Sequence, residues 1–179
     1  MQLSAHKDEG LWRMSGLAAP HLHLLRQAAH DATLTDSPAE RERLFPPPVE
    51  NSAEEAEFVA DWQEFVADDL EMRFAGDVGT VLADLDQARP DGTAGEVRLF
   101  ALELPLEHAQ AWFSTLNQAR LLMDCRFRLH DPANQAIIEN GDPSGEDAEM
   151  TARNEQMLAA WFRYELYAAV QEWIVRNVL

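Results

Sequence analysis

Six carboxylates recur at intervals of three and four residues: Glu54, Glu57, Asp61, Glu64, Asp68 and Glu71. On a helix that spacing puts them along one face. Oxygen ligands suit a loosely held hard divalent cation, and a dense negative row suits docking of a basic partner. The reading without function is a solvated face, the usual fate of a charge run. Residues 50–86 hold twelve acids and one base, Arg73, for a net charge of −11, and residues 139–149 add five acids and no base. Those two stretches supply −16 of the chain's formal −18.

Asn117 and Arg120 form the second constellation. Ala109, Trp112, Phe113, Leu116, Ala119, Arg120, Met123 and Phe127 share one stripe at helical spacing, so a guanidinium stands among apolar side chains, with Asn117 beside it. Arg120 must either reach water along its stem or pair with an acid. A buried pair with Glu165 or Glu172 would fix the register of two helices. An anion or carboxylate site built on the donor fork of Arg120 is the functional alternative.

His21, His23 and His30 are the one histidine cluster. Seven residues separate the last two, about 10 Å along a helix axis, which is too far for one metal ion. Polar surface or core-edge histidines are the expectation. No glutamate has a histidine three residues later, and HExxH, GxSxG, GxGxxG and the Walker lysine motif are absent. One lysine, Lys7, stands against thirteen arginines, which removes nearly every route to a lysine nucleophile. The sequence therefore assigns no catalytic residue, no cofactor and no metal site. It favours a non-enzymatic protein without excluding a triad assembled from distant residues.

The elements that would position these groups follow from composition and periodicity. A chain of 179 residues with 46% hydrophobic content and five tryptophans is expected to fold as one domain, 1–179, around one core. Its charge repels phosphate backbones, so nucleic acid and anionic membrane are excluded as partners. No apolar run approaches the roughly 20 residues of a membrane span, and no leader pattern opens the chain, so a cytoplasmic location is expected. Single Cys125 can form no intramolecular disulfide and is read as a helix-packing residue.

Two short strands around Lys7–Gly10 read as a hairpin, and Ala18 to Thr33, with Pro20 near its start, reads as a helix. Residues 34–51, with Pro46, Pro47 and Pro48, read as a proline-rich connector. Asn51 or Ser52 would cap a helix running to about Phe74, with Phe58, Trp62, Phe65, Val66 and Leu70 as its apolar stripe. Gly76 and Gly79 would punctuate it before a further helix to about Ala88. Arg89–Gly92 reads as a turn and Glu96–Leu104 as a strand pairing with the hairpin. The central helix follows Pro105, residues 130–147 read as a flexible loop, and Asp147 to about Asn177 forms a terminal helix with a wide apolar arc. Trp62, Trp112, Trp161 and Trp173 are expected to meet in one core. Exposure of Trp161 or Trp173 would point to a homodimer.

The Leu44-Phe45-Pro46 connector, the acidic helix, AWFSTLNQARL from Ala111 to Leu121, a variable loop and MLAAWFRYELYAAVQEW from Met157 to Trp173 come in a telling order. From Leu44 onward, roughly three quarters of the chain, that order resembles an uncharacterised bacterial domain-of-unknown-function family, best represented in actinobacteria. In that family the gene often lies near one for the adaptor of the Clp protease. The resemblance thus implies a link to regulated proteolysis and carries over no catalytic residue.

The fold expected is mainly α, a single-domain bundle of four or five helices with a small antiparallel sheet made of the N-terminal hairpin and a strand near 96–104. The function expected is a non-enzymatic interaction or regulatory protein with an acidic docking face for a basic protein. The alternative is an enzyme or a small-molecule or anion-binding protein with a pocket near Arg120, Asn117 and a histidine.

Overall fold

The computed structural model describes residues 1–49 and 55–179. Strands β1 (Gln2–His6), β2 (Leu11–Ala18), β3 (Arg89–Ala94) and β4 (Val97–Pro105) form one antiparallel sheet in the order β1-β2-β4-β3. The hairpin and the strand after it are thus where periodicity put them, and β2 pairs with β4 as expected. The alternation of β2 points Trp12 and Met14 inward. A register shift between Met14 and Leu17, with Gly16 at φ 63°, adds the residue that turns Leu17 inward as well. All three are fully buried.

Arg89–Gly92 is a strand and not only a turn: β3 runs through it and pairs with β4. Pro90 is tolerated because β3 is an edge strand. Asp91 accepts from Arg13 Nη2 at 2.6 Å and from the Gly16 amide at 3.2 Å, bracing the β2 bulge.

The helices are α1 (Ala19–Asp31), α2 (Pro38–Leu44), α3 (Ala56–Trp62), α4 (Asp68–Leu85), α5 (Ala109–Phe127), α6 (Pro132–Asn140) and α7 (Ala148–Asn177). A π turn, Gln63–Ala67, joins α3 to α4 without a break, so the described residues form six helical rods where four or five were expected. The two additions sit in stretches read as irregular. α2 lies inside the proline-rich segment and α6 inside the segment 130–147, and each begins at a proline whose missing N–H costs nothing in a first turn. Asp131 caps α6 by accepting from the Ala133 amide at 3.0 Å. Gly76 and Gly79 do not interrupt α4, which continues to Leu85 because Val81 and Leu85 are fully buried in the core. That burial outweighs the roughly 1 kcal/mol each glycine costs in a helix.

α5 is the hub, packing against α7, α4, α1 and α2. Contact on several sides explains why its buried set extends beyond one stripe to Ala111, Thr115, Gln118 and Leu122. Four tryptophans do not meet. Trp12 of β2 lies edge-on to Trp112 with centroids 5.8 Å apart, and 5.9 Å from Trp173. Trp161 stacks instead on Tyr164, and half-buried Trp62 stands apart on α3.

Candidate functional site

The acidic row lies on the rod made by α3, the π turn and α4. Glu57, Asp61, Glu64 and Asp68 are exposed and Glu71 is half-buried; Glu54 and the expected caps Asn51 and Ser52 fall outside the described residues. Val59 and Ala67 are the buried positions of α3 and the π turn, eight residues apart instead of seven. The π turn accounts for that extra residue. The expected apolar stripe is corrected: Phe58 is 55% exposed, Phe65 64%, and Val66 is exposed too, as is Met72 on α4 at 67%. A straight 3.6-residue period carried through a π turn assigns the wrong side to whatever follows.

The row is divided by its partners. Arg41 of α2 reaches Asp68 at 3.0 Å and also pairs with Glu71. Glu57, Asp61 and Glu64 make no ion pair with any described residue. Among the described residues no group of three metal-ligating side chains is close enough to hold an ion. Beneath the rod, α2 and α3 border an open groove of about 580 Å³ lined in part by Phe45, Pro47, Val59, Trp62 and Ala67.

Arg120 does not pair with Glu165 or Glu172. Its Nη1 donates to Gln171 Oε1 at 2.5 Å, its Nη2 to Tyr164 Oη at 3.1 Å, and the guanidinium lies over the Tyr164 ring at 4.6 Å. Glu165 and Glu172 are exposed, and Glu172 is taken by Arg176. Neutral acceptors replace the expected carboxylate, and Arg120 Nε is buried without an acceptor. Asn117 Oδ1 accepts weakly from Gln171 Nε2 at 3.4 Å. Asn117 and Arg120 do line one pocket, together with Arg43, Asp124, His130 and Tyr164. The histidine there is His130, not one of the three clustered near the N-terminus.

Those three are separated. His21 Nδ1 accepts from the Ala18 amide at 3.0 Å at the start of α1, while His23 and His30 are exposed. Another histidine, His108, has Nδ1 2.9 Å from Asp84 Oδ1; Trp112 Nε1 donates to Asp84 Oδ2 at 2.8 Å.

Two ion pairs that periodicity did not reveal clamp the helices around α5. Arg126 donates from Nε and Nη2 to Glu40, each at 2.9 Å, and from Nη1 and Nη2 to the carbonyls of Asp31 and Thr33. That hydrogen bonding holds the buried Glu40 carboxyl down at about 2 against the desolvation that would raise it. Asp31, also buried, accepts from Arg163 Nε at 2.8 Å and from Tyr167 Oη at 3.0 Å. Burial, and then the neighbouring Asp31 charge, push the Tyr167 hydroxyl well above an ordinary phenol.

Residues 3–178 match the family model of DUF2017, a domain of unknown function, and the chain belongs to that family. No curated protein and no solved structure matches it. No described helix is long and apolar enough to cross a membrane.

Proposed function

We propose that the protein is a non-enzymatic interaction or regulatory protein whose docking face is the outward side of the α3–α4 rod. The observation that carries the reading is the interleaving there of exposed Phe58, Phe65 and Met72 with Glu57, Asp61 and Glu64, carboxylates that no described cation neutralises. Exposed aromatic side chains are unfavourable in water and mark contact surfaces when grouped. The surrounding negative charge selects a positive partner and speeds its approach. The occupant that fits is a basic amphipathic segment, its apolar residues on the phenylalanines and Met72, its arginines or lysines on the acids. Placement of that partner in regulated proteolysis rests on the family's gene neighbourhood alone. The excess of acid on this face also supports the reading that nucleic acid and anionic membrane are not partners.

A basic amphipathic peptide serves as the probe. Its affinity should fall steeply as salt rises from about 50 to about 150 mM, because screening shortens the reach of surface charge. Reversal of Glu57, Asp61 and Glu64 to lysine should abolish binding and leave the melting temperature nearly unchanged, since all three are exposed. Binding that survives the triple reversal sinks the acidic-face reading. Sedimentation of the protein alone tests the competing occupant, a second copy: α7 presents Phe162 at 73% exposure, while Trp161 and Trp173 are half-buried. A dimer sealed by Phe65 and Met72 would persist at high salt and occupy the face.

A further inference from the structure

We infer that the pocket between the C-terminal end of α2, the middle of α5, the start of the α5–α6 connection and α7 is a binding site for a small phosphate-type oxyanion. It is an open pocket of about 320 Å³, lined by Arg43, Asn117, Arg120, Leu121, Asp124, His130 and Tyr164. Charge is the first argument. In a chain with 32 acids and 14 bases, an arginine would be expected to find a carboxylate. Among the described residues Arg13, Arg26, Arg41, Arg89, Arg126, Arg163 and Arg176 all do. Of the six that pair with no described acid, Arg73, Arg98, Arg128 and Arg153 are scattered over the exposed surface. The other two, Arg43 and Arg120, line this one pocket.

Preorganisation is the second argument. Arg120 is held in place by neutral groups only, Gln171 and Tyr164, and its Nε has no acceptor. Its charge is therefore positioned without a carboxylate partner; Nε is closed off from solvent, and it is the Nη hydrogens not given to Gln171 and Tyr164 that remain for an incoming anion. Tyr164 is itself fixed, stacked on Trp161 with ring centroids 5.6 Å apart. Asp124, the acid in the wall, is engaged by His130 Nδ1 at 2.7 Å. With the Asn117 side-chain amide beside two guanidiniums, the site offers donors from several directions. That arrangement suits an anion with three or more acceptor oxygens better than a flat carboxylate. At about 30 Å³ per water the pocket holds roughly ten waters, more than orthophosphate displaces, so the ligand class is a phosphomonoester with a small polar body. This site is separate from the acidic rod, and its test does not depend on that face.

The full chain is titrated with inorganic phosphate and with a panel of small phosphomonoesters, followed by calorimetry and by ³¹P line width. Sodium chloride at matched ionic strength and succinate serve as comparisons. Saturable binding of a phosphomonoester, tighter than that of orthophosphate, is expected, with no response to chloride. Arg43 is exposed, so Arg43→Ala keeps the fold and should weaken binding tenfold or more; Arg120→Lys, which keeps the charge and loses the fork, should weaken it as well. Orthophosphate binding as tightly as every ester would keep the anion class and overturn the ester assignment. Equal affinity in wild type and Arg43→Ala, a response to succinate alone, or no saturable binding up to about 10 mM would overturn the site.

Discussion

Replacement of Glu40 by glutamine tests whether the clamp between α2 and α5 works through charge. Glu40 accepts from Arg126 Nε and Nη2 at 2.9 Å and from the Thr35 amide at 3.0 Å, and its carboxyl is lowered from the ordinary 4.5 to about 2. At about 1.4 kcal/mol per pH unit that lowering corresponds to a ceiling of roughly 3.5 kcal/mol. Glutamine keeps an acceptor oxygen for Arg126, which cuts the expected cost to about 1–2 kcal/mol. Because the folded-state value lies below the unfolded one, the contribution is fully present above about pH 4.5. It is lost as pH falls toward about 2. Urea denaturation of wild type and Glu40→Gln from about pH 7 down to about pH 3 should show a stability gap that is constant at neutral pH and narrows through pH 4. A gap of the same size at every pH would refute the reasoning, since it would trace the loss to shape and not to the carboxylate's charge.

The remaining predictions concern other parts of the frame. Asp84→Ala should cost about 2–3 kcal/mol in urea denaturation, because Trp112, fully buried, loses the acceptor of its Nε1 and His108 loses its partner. Gly141 ends α6 at φ 65° with open space where a Cβ would project, so Gly141→Ala should lower stability by about 1 kcal/mol through backbone conformation alone. Arg41→Ala should change stability by only a few tenths of a kcal/mol, as exposed pairs do. By freeing Asp68 and Glu71 it should tighten the basic-peptide complex and steepen its salt dependence, measured by titration at two ionic strengths.

Elements with a strong local signal were legible in the sequence. β2, β4 and α1 follow their apolar periodicity, α5 begins soon after Pro105, and α7 starts one residue after its cap, Asp147, whose side chain accepts from the Met150 amide at 2.8 Å. α2 and α6 were hidden by composition, although Ser37-Pro38 and Asp131-Pro132 are helix-start signals in themselves. The π turn has no sequence signature, and from it came the misplacement of Phe65 and Val66; Phe58 precedes the turn and stands one position from the buried Val59. The spacing puts Arg120 on the apolar face as an arginine needing a partner, but periodicity names a helix face and not the side chain that meets it. Tyr164 and Gln171 could be found only once α5 and α7 were packed. Arg126 and Arg163 went unnoticed for the same reason: their partners Glu40 and Asp31 are 86 and 132 residues away.

That separation bears on the order in which the chain can become stable as it is synthesised. Asp31 is closed by Arg163 and Tyr167, and Trp12 lies against Trp173, so the earliest strands and the first helix are completed by the last helix. Until α7 emerges, α1 carries a carboxylate whose two side-chain partners have not yet been made, and β2 carries a tryptophan with one side of its ring uncovered. Such long-range closure slows folding and leaves apolar surface open to proteases and chaperones during translation. A chain stopped before Ala148 should be cut rapidly within α1, whereas the finished protein should resist.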